Sequence, residues 1–167
     1  EEWSNLITIL KEINPNLKII FTVSPIRHLR DGAHDNQLSK ATLLLATNNI
    51  CKSHENTFYF PSYEIVLDEL RDYRFYNEDM VHPNNVAIKY IWERFSETYF
   101  NTSTLQINEE WNKIYLALNH RPLNTQSCEY KHFLRQTLLK VEAFKNKYPY
   151  ICCNEEISYL ESKIEEI

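Results

Sequence analysis

Apolar positions in the first hundred residues switch between helical and strand-like spacing. Residues 3–13 carry apolar side chains at steps of three and four, which predicts a helix that Asn14 and Pro15 end. Residues 18–23 form a short apolar run typical of a buried parallel strand, and residues 57–60 form a second. Helical spacing returns over three further stretches, residues 39–50, 63–70 and 83–99. This alternation predicts an α/β fold with a parallel sheet.

The last third of the chain lacks strand-like stretches and carries three amphipathic stripes. The stripes run over residues 107–118, 134–144 and 157–167. We therefore predict two parts: residues 1–100, an α/β domain, and residues 101–167, a helical extension packed on it. The last stripe is also compatible with packing against another copy of the chain in a homo-oligomer.

Composition and charge restrict the class of function. The 167 residues are 43% hydrophobic and 25% charged, as in soluble globular proteins. The net charge of -5 argues against a nucleic-acid partner, which needs a basic patch. No apolar run approaches the about 18 residues of a membrane span. Because Gly32 is the only glycine, a glycine-rich phosphate loop is excluded and no cofactor is expected.

The four cysteines indicate thiols rather than a zinc site. They are Cys51, Cys128, Cys152 and Cys153. Their spacing matches no zinc pattern, and a disulfide between the adjacent pair would be strained. Reduced thiols fit a reducing compartment, so we predict a cytoplasmic location. His28, His34 and Asp35 are poorly spaced for metal binding, and no metal is expected.

Two polar segments hold the candidate chemistry. Residues 26–36 follow the first strand, and ligands of open parallel sheets bind beyond the carboxyl ends of strands, so Arg27 and His28 are site candidates. Asp79 and His82 stand three residues apart before the helix of residues 83–99. A serine hydrolase needs a nucleophile, a base and a group that orients the base, and this pair can supply the last two. A histidine that caps the helix, a buried histidine and a pair of metal ligands remain as alternatives.

Several stretches around these candidates form a wider pattern. They are residues 22–28 with Asp31 and Gly32, and residues 37–41, 59–65, 68–76, 78–83 and 119–122. On these stretches the chain resembles the GSCFA family of bacterial proteins, a branch of the SGNH (GDSL-like) hydrolase superfamily. The resemblance implies an α/β/α sandwich of the SGNH type, with His82 as the catalytic base and Asp79 as its orienting acid.

The resemblance also implies that part of the site lies upstream. The family is named for a Gly-Ser-Cys-Phe-Ala motif that would carry the nucleophilic serine, and the sequence lacks this motif. The superfamily's oxyanion-hole residues also lie upstream in the usual order. Since the chain begins Glu-Glu-Trp without Met, we expect it to be the carboxyl-terminal part of a larger protein and inactive alone. Ser24 is interpreted as a strand-end serine that bonds its own backbone, not as the nucleophile.

Arg27, His28 and Asp31 belong to a loop that resembles the family's. We predict that they bind substrate or support His82, and the alternative is a structural turn in which Asp31 pairs with Arg27 or Arg30. The predicted function is ester hydrolysis or acyl transfer on an acylated glycan or another small acyl ester, with the upstream part of the protein as partner. The alternative is a non-catalytic binding or assembly module that uses the helical tail.

Overall fold

Helices alternate with two strands up to Tyr99, and only helices follow. The computed structural model describes residues 2–167, and the chain divides into two compact units between Tyr99 and Phe100. The elements of the first unit are α1 Glu2–Ile13, β1 Ile19–Thr22, α2 Gly32–Ser53, β2 Thr57–Phe60, α3 Ser62–Glu64 and α4 Asn85–Tyr99. Those of the second are α5 Thr102–Leu118, α6 Cys128–Lys147 and α7 Asn154–Glu165. The predicted α/β class with a helical C-terminal region is confirmed.

The two strands form a parallel pair that carries helices on both faces. Ile19 pairs with Thr57 and Thr22 with Phe60. On one face the ring of Phe21 meets Trp3 of α1 edge-on, with centroids 5.3 Å apart. Side chains alternate along a strand, so Phe60 projects from the other face, where it meets Phe95 of α4 at 5.1 Å. Because helices cover both faces of the strand pair, both strands have apolar side chains at nearly every position.

The core of the first unit lies between β2, the turn after it and α4. Phe60, Val66, Leu70, Tyr76 and Ala87 are each at most 7% exposed and pack together. Tyr76 stands at the base of the segment that carries Asp79 and His82. The core therefore anchors one end of that segment.

The second unit has its own core, to which all three helical stripes contribute. Ile114 of α5, Val141 and Phe144 of α6 and Leu160 of α7 are 0–5% exposed and form one cluster. The stripe on α7 is therefore used within the unit. Asn154 is the first residue of α7, and its side-chain oxygen accepts a hydrogen bond from Lys145 at 2.8 Å.

The structure corrects the sequence interpretation of residues 26–36. We expected a loop, but a 3-10 turn runs over Leu29–Asp31 and α2 begins at Gly32. Gly32 has φ +78° and ψ 169°, a conformation that residues with a Cβ rarely adopt. Because Gly32 has no Cβ, it can adopt this conformation, and α2 starts directly after the turn. The predicted helix of residues 63–70 is a shorter α-helical turn that continues as a π-helix over Ile65–Glu69.

Candidate active site

The segment between Tyr76 and Pro83 is a closed loop. Its ends pair in an isolated antiparallel bridge between these two residues. Inside the bridge the backbone N–H of Asn77 donates to the carbonyl of His82 at 2.8 Å. The side-chain oxygen of Asn84 accepts hydrogen bonds from the N–H groups of Val86 and Ala87, so Asn84 caps α4. The interpretation of His82 as the helix cap is therefore wrong.

Asp79 holds the His82 ring and folds the loop with the same carboxylate. Its Oδ2 atom lies 2.6 Å from Nδ1 of His82. Its Oδ1 atom accepts hydrogen bonds from the backbone N–H groups of Val81 at 2.9 Å and His82 at 3.0 Å. The hydrogen bonds from the His82 and Val81 backbones, then the one from the His82 ring, lower the pKa of Asp79 to about 2. Asp79 is thus an ionised acceptor at neutral pH.

His82 is neither a core residue nor part of a metal cluster within residues 2–167. Its side chain is 53% exposed, which excludes the buried-histidine interpretation. No group of three or more His, Cys, Asp or Glu residues is arranged to hold a metal ion in this described range. With Nδ1 facing Asp79, the other ring nitrogen, Nε2, is left for a different partner.

His82 borders an apolar pocket with a volume of about 700 Å³. The pocket lies at the carboxyl ends of the parallel strands, where ligands of such sheets bind. Its apolar lining comes from the strands, the loops and α4, and comprises Ile20, Pro25, Ile26, Phe60, Pro83, Ile88, Ile91, Trp92 and Phe95. Its polar lining comprises Thr22, Ser24, Ser62, Asn77 and His82. From the sequence, Trp92 of α4 is either a core or surface aromatic or part of a carbohydrate site, because helical spacing alone cannot separate a pocket wall from a core.

The two serines of the pocket bind backbone groups at the end of β1. Ser62 donates to the carbonyl of Val23 at 2.9 Å, and its Oγ lies 2.5 Å from the hydroxyl oxygen of Thr22. Ser24 accepts from the N–H of Ile26 at 3.3 Å, as its strand-end interpretation predicted. In the described part of the chain no serine hydroxyl is hydrogen-bonded to His82.

Arg27, His28 and Asp31 occupy different positions relative to the loop. Arg27 is half-buried, and its Nη1 atom donates to the carbonyl of Met80 at 3.1 Å. His28 and Asp31 are 54% and 57% exposed, and His28 Nδ1 lies 3.9 Å from a carboxylate oxygen of Asp31. The expected pairing of Asp31 with Arg27 or Arg30 is replaced by this contact with His28. Substrate binding by these three residues stays a prediction.

Lys40 is a buried cation that the sequence interpretation missed. It lies on α2, is 2% exposed, and its Nζ atom donates to the carbonyl of Ser24 at 2.7 Å. Burial lowers the pKa of this amine. Lys40 therefore holds the backbone of Ser24, a residue that lines the pocket. A lysine on a helix normally indicates a solvated face, so nothing in the pattern singled it out.

Comparison with known proteins supports one assignment. No curated protein and no solved structure matches the chain significantly. The GSCFA family model matches residues 1–95, which include the whole loop of Asp79 and His82. The model described as GSCFA domain protein, C-terminal domain, matches residues 111–166, within the second unit. The chain belongs to the GSCFA family.

Proposed function

We propose that the chain supplies the acid–base half of a serine-type site for ester hydrolysis or acyl transfer, as in SGNH hydrolases. The observation that carries the proposal is the 2.6 Å contact between Asp79 and His82 on a loop that borders the pocket. Ion-paired histidines are also common outside active sites. Here, however, the ring is exposed, oriented by an ionised acid and placed beyond the ends of parallel strands.

In the proposed reaction His82 works as a general base and then as a general acid. Nε2 removes the hydroxyl proton of a serine as the serine oxygen bonds to the acyl carbon of the ester. Asp79 stabilises the imidazolium that results, and Nε2 then protonates the departing alkoxide, which leaves as an alcohol. Water or an acceptor alcohol releases the acyl group in the same two steps. The serine and the oxyanion donors belong, in this proposal, to an upstream segment of the same protein.

The pocket supports a substrate with an apolar part. Most of its lining is aliphatic or aromatic, with hydroxyls only at the strand ends. Such a surface favours the acyl chain or another apolar group of a small ester. An acylated glycan remains within the proposal, since Trp92 is half-exposed at the pocket and aromatic rings also pack against sugars.

The alternative function, a non-catalytic binding or assembly module, rests on the missing nucleophile and on the three amphipathic stripes of the helical tail. The structure weakens only the part of this argument that concerns the α7 stripe. Leu160 is fully buried and Ile157 packs against the core of the second unit. The α7 stripe therefore packs within the second unit, which favours the acid–base proposal over the assembly module.

Labelling with a serine-directed fluorophosphonate tests the proposal in the full-length protein. We expect labelling in the wild type and its loss in His82→Ala. His34→Ala is the matched control, because His34 is an exposed histidine on α2. Labelling that is equal in wild type and His82→Ala would refute the role of His82, and absence of labelling in the wild type would refute an activated serine.

A further inference from the structure

Arg27 connects the end of β1 to the loop of Asp79 and His82. It stands five residues beyond the last residue of the strand, Thr22. Its guanidinium lies over the ring of Tyr76 at 4.4 Å and near that of Tyr73 at 5.7 Å, measured to the centroids. Its Nη1 atom donates to the carbonyl of Met80 at 3.1 Å. One side chain thus touches both the base and the tip of the loop.

The carbonyl that Arg27 binds belongs to the most constrained residue of the loop. Met80 has φ +59°, in the left-handed region that residues other than glycine rarely occupy. It lies between Asp79 and the two N–H groups, of Val81 and His82, that the Asp79 carboxylate accepts. A change in the conformation of Met80 would therefore move the Asp79 carboxylate away from the His82 ring.

The contacts of Arg27 suit the task of holding this turn. A hydrogen bond from a guanidinium is about twice as strong as one between neutral groups. The stack on Tyr76 adds a cation–π attraction, which strengthens as the cation is withdrawn from water. Tyr76 is only 7% exposed and belongs to the core, so it offers a rigid platform. Among residues 2–167 no carboxylate forms an ion pair with Arg27, which leaves its charge to the carbonyl and the rings.

We propose that Arg27 is a positioning residue: it fixes the conformation of Met80 and so keeps the Asp79 carboxylate on Nδ1 of His82. This inference rests on the proposed function for its catalytic meaning, but the effect on the His82 ring is independent of any nucleophile. Arg27 acts through Met80 and the loop, not on substrate. The same role would not be served by the neighbouring Arg30, which is exposed on the 3-10 turn.

The tautomer of His82 provides the test, measured on this chain. The nitrogen chemical shifts of ¹⁵N-histidine, assigned with His82→Ala, report which ring nitrogen carries the proton. We expect the Nδ1–H form to dominate in the wild type at a pH where the ring is neutral. Arg27→Ala should shift the ring to a mixture of tautomers, Arg27→Lys should restore part of the wild-type ratio, and Arg30→Ala should leave it unchanged.

The result that overturns the proposal is a His82 tautomer ratio in Arg27→Ala equal to that of the wild type. If Arg27→Ala does not fold, Arg27→Met decides by the same criterion, since it keeps a long aliphatic stem and loses both the charge and the N–H donor. In the full-length protein, Arg27→Ala should also slow fluorophosphonate labelling by about 10- to 100-fold, the range expected for misplacing a catalytic group. Altered tautomers without any labelling of the wild type would keep the positioning role and refute the proposed reaction.

Discussion

The carboxylate of Asp79 binds the ring of His82 through one oxygen and the backbone of His82 through the other. The two distances are 2.6 Å for Oδ2 to Nδ1 and 3.0 Å for Oδ1 to the backbone nitrogen. The residue that orients the imidazole is therefore also the one that folds the turn beneath it. Substitutions at Asp79 can separate the two roles, because an amide preserves an acceptor oxygen but carries no charge.

Asp79→Asn should slow the reaction of the proposed serine with fluorophosphonate while leaving the fold intact. The amide oxygen can still accept from the backbone N–H groups of Val81 and His82, but an amide cannot stabilise an imidazolium. We expect fluorophosphonate labelling of the full-length protein to slow by about 10³- to 10⁴-fold. Glu78→Gln is the matched control, since it removes the adjacent exposed acid and should label at the wild-type rate. Labelling of Asp79→Asn above about a tenth of that rate would contradict the role given to Asp79.

The depressed pKa of Asp79 predicts a loss of stability in acid. Hydrogen bonds to the ionised carboxylate lower its pKa to about 2, whereas an aspartate in an unfolded chain titrates near 3.9. A group whose pKa is lower in the folded state stabilises that state above the unfolded value and ceases to do so as pH falls through the folded value. The stabilisation is therefore complete above about pH 5 and disappears between about pH 4 and 2.

Urea unfolding of the wild type and of Asp79→Asn over this range measures the effect. The difference between their free energies of unfolding should shrink as the pH falls from about 4 to about 2. Because the amide of the variant does not titrate, the change belongs to the Asp79 carboxyl group of the wild type. A difference that stays constant down to about pH 2 would show that the carboxylate does not gain these hydrogen bonds on folding.

At position 80, a β-branched side chain should lower the free energy of unfolding more than removal of the Met80 side chain does. Its side chain is 49% exposed, so little packing is lost on removal, but its φ of +59° disfavours a β-branched residue. We expect Met80→Val to lower the free energy of unfolding by about 1–2 kcal/mol and Met80→Gly to stay within about 1 kcal/mol of the wild type. Thermal unfolding of the two variants provides the measurement. Equal destabilisation by both would argue against a left-handed residue here.

The sequence predicted the elements and the acid–histidine pair because both are recorded in local patterns. Periodicity located β1, β2 and the helical tail. The three-residue spacing brought Asp79 and His82 together because a turn of that length closes on itself. The start of α2 was missed because Gly32 normally signals a break, and here it allows a helix to follow a turn without one.

The contacts that tie the site to the rest of the unit could not be predicted, since they join distant residues. Arg27 was a candidate for substrate binding or support of His82, but no pattern indicated that it would reach the carbonyl of Met80. A carbonyl has no sequence signature at all. Lys40 was missed for a related reason: its burial depends on how α2 lies against the end of β1, which tertiary packing alone decides.

In the second unit the same substitution, leucine to alanine, can be compared at a buried and at an exposed position. Leu160 of α7 is fully buried, whereas Leu123, between α5 and α6, is fully exposed. Leu160→Ala should lower the free energy of unfolding by about 2–5 kcal/mol because it leaves a cavity, and Leu123→Ala by less than about 0.5 kcal/mol. Chemical unfolding followed by circular dichroism measures both. Similar values for the two variants would contradict the packing of α7 described above.

The hydrogen bond from Arg27 to Met80 spans 53 residues of sequence, whereas the one between Asp79 and His82 spans three. Closing a short turn is fast, but a contact between distant segments must wait until the chain between them is organised. We therefore expect the contact between Asp79 and His82 to form before the one between Arg27 and Met80 during folding. On this view the acid–histidine pair is local, and its final orientation depends on the pairing of β1 with β2, which brings Arg27 to the loop.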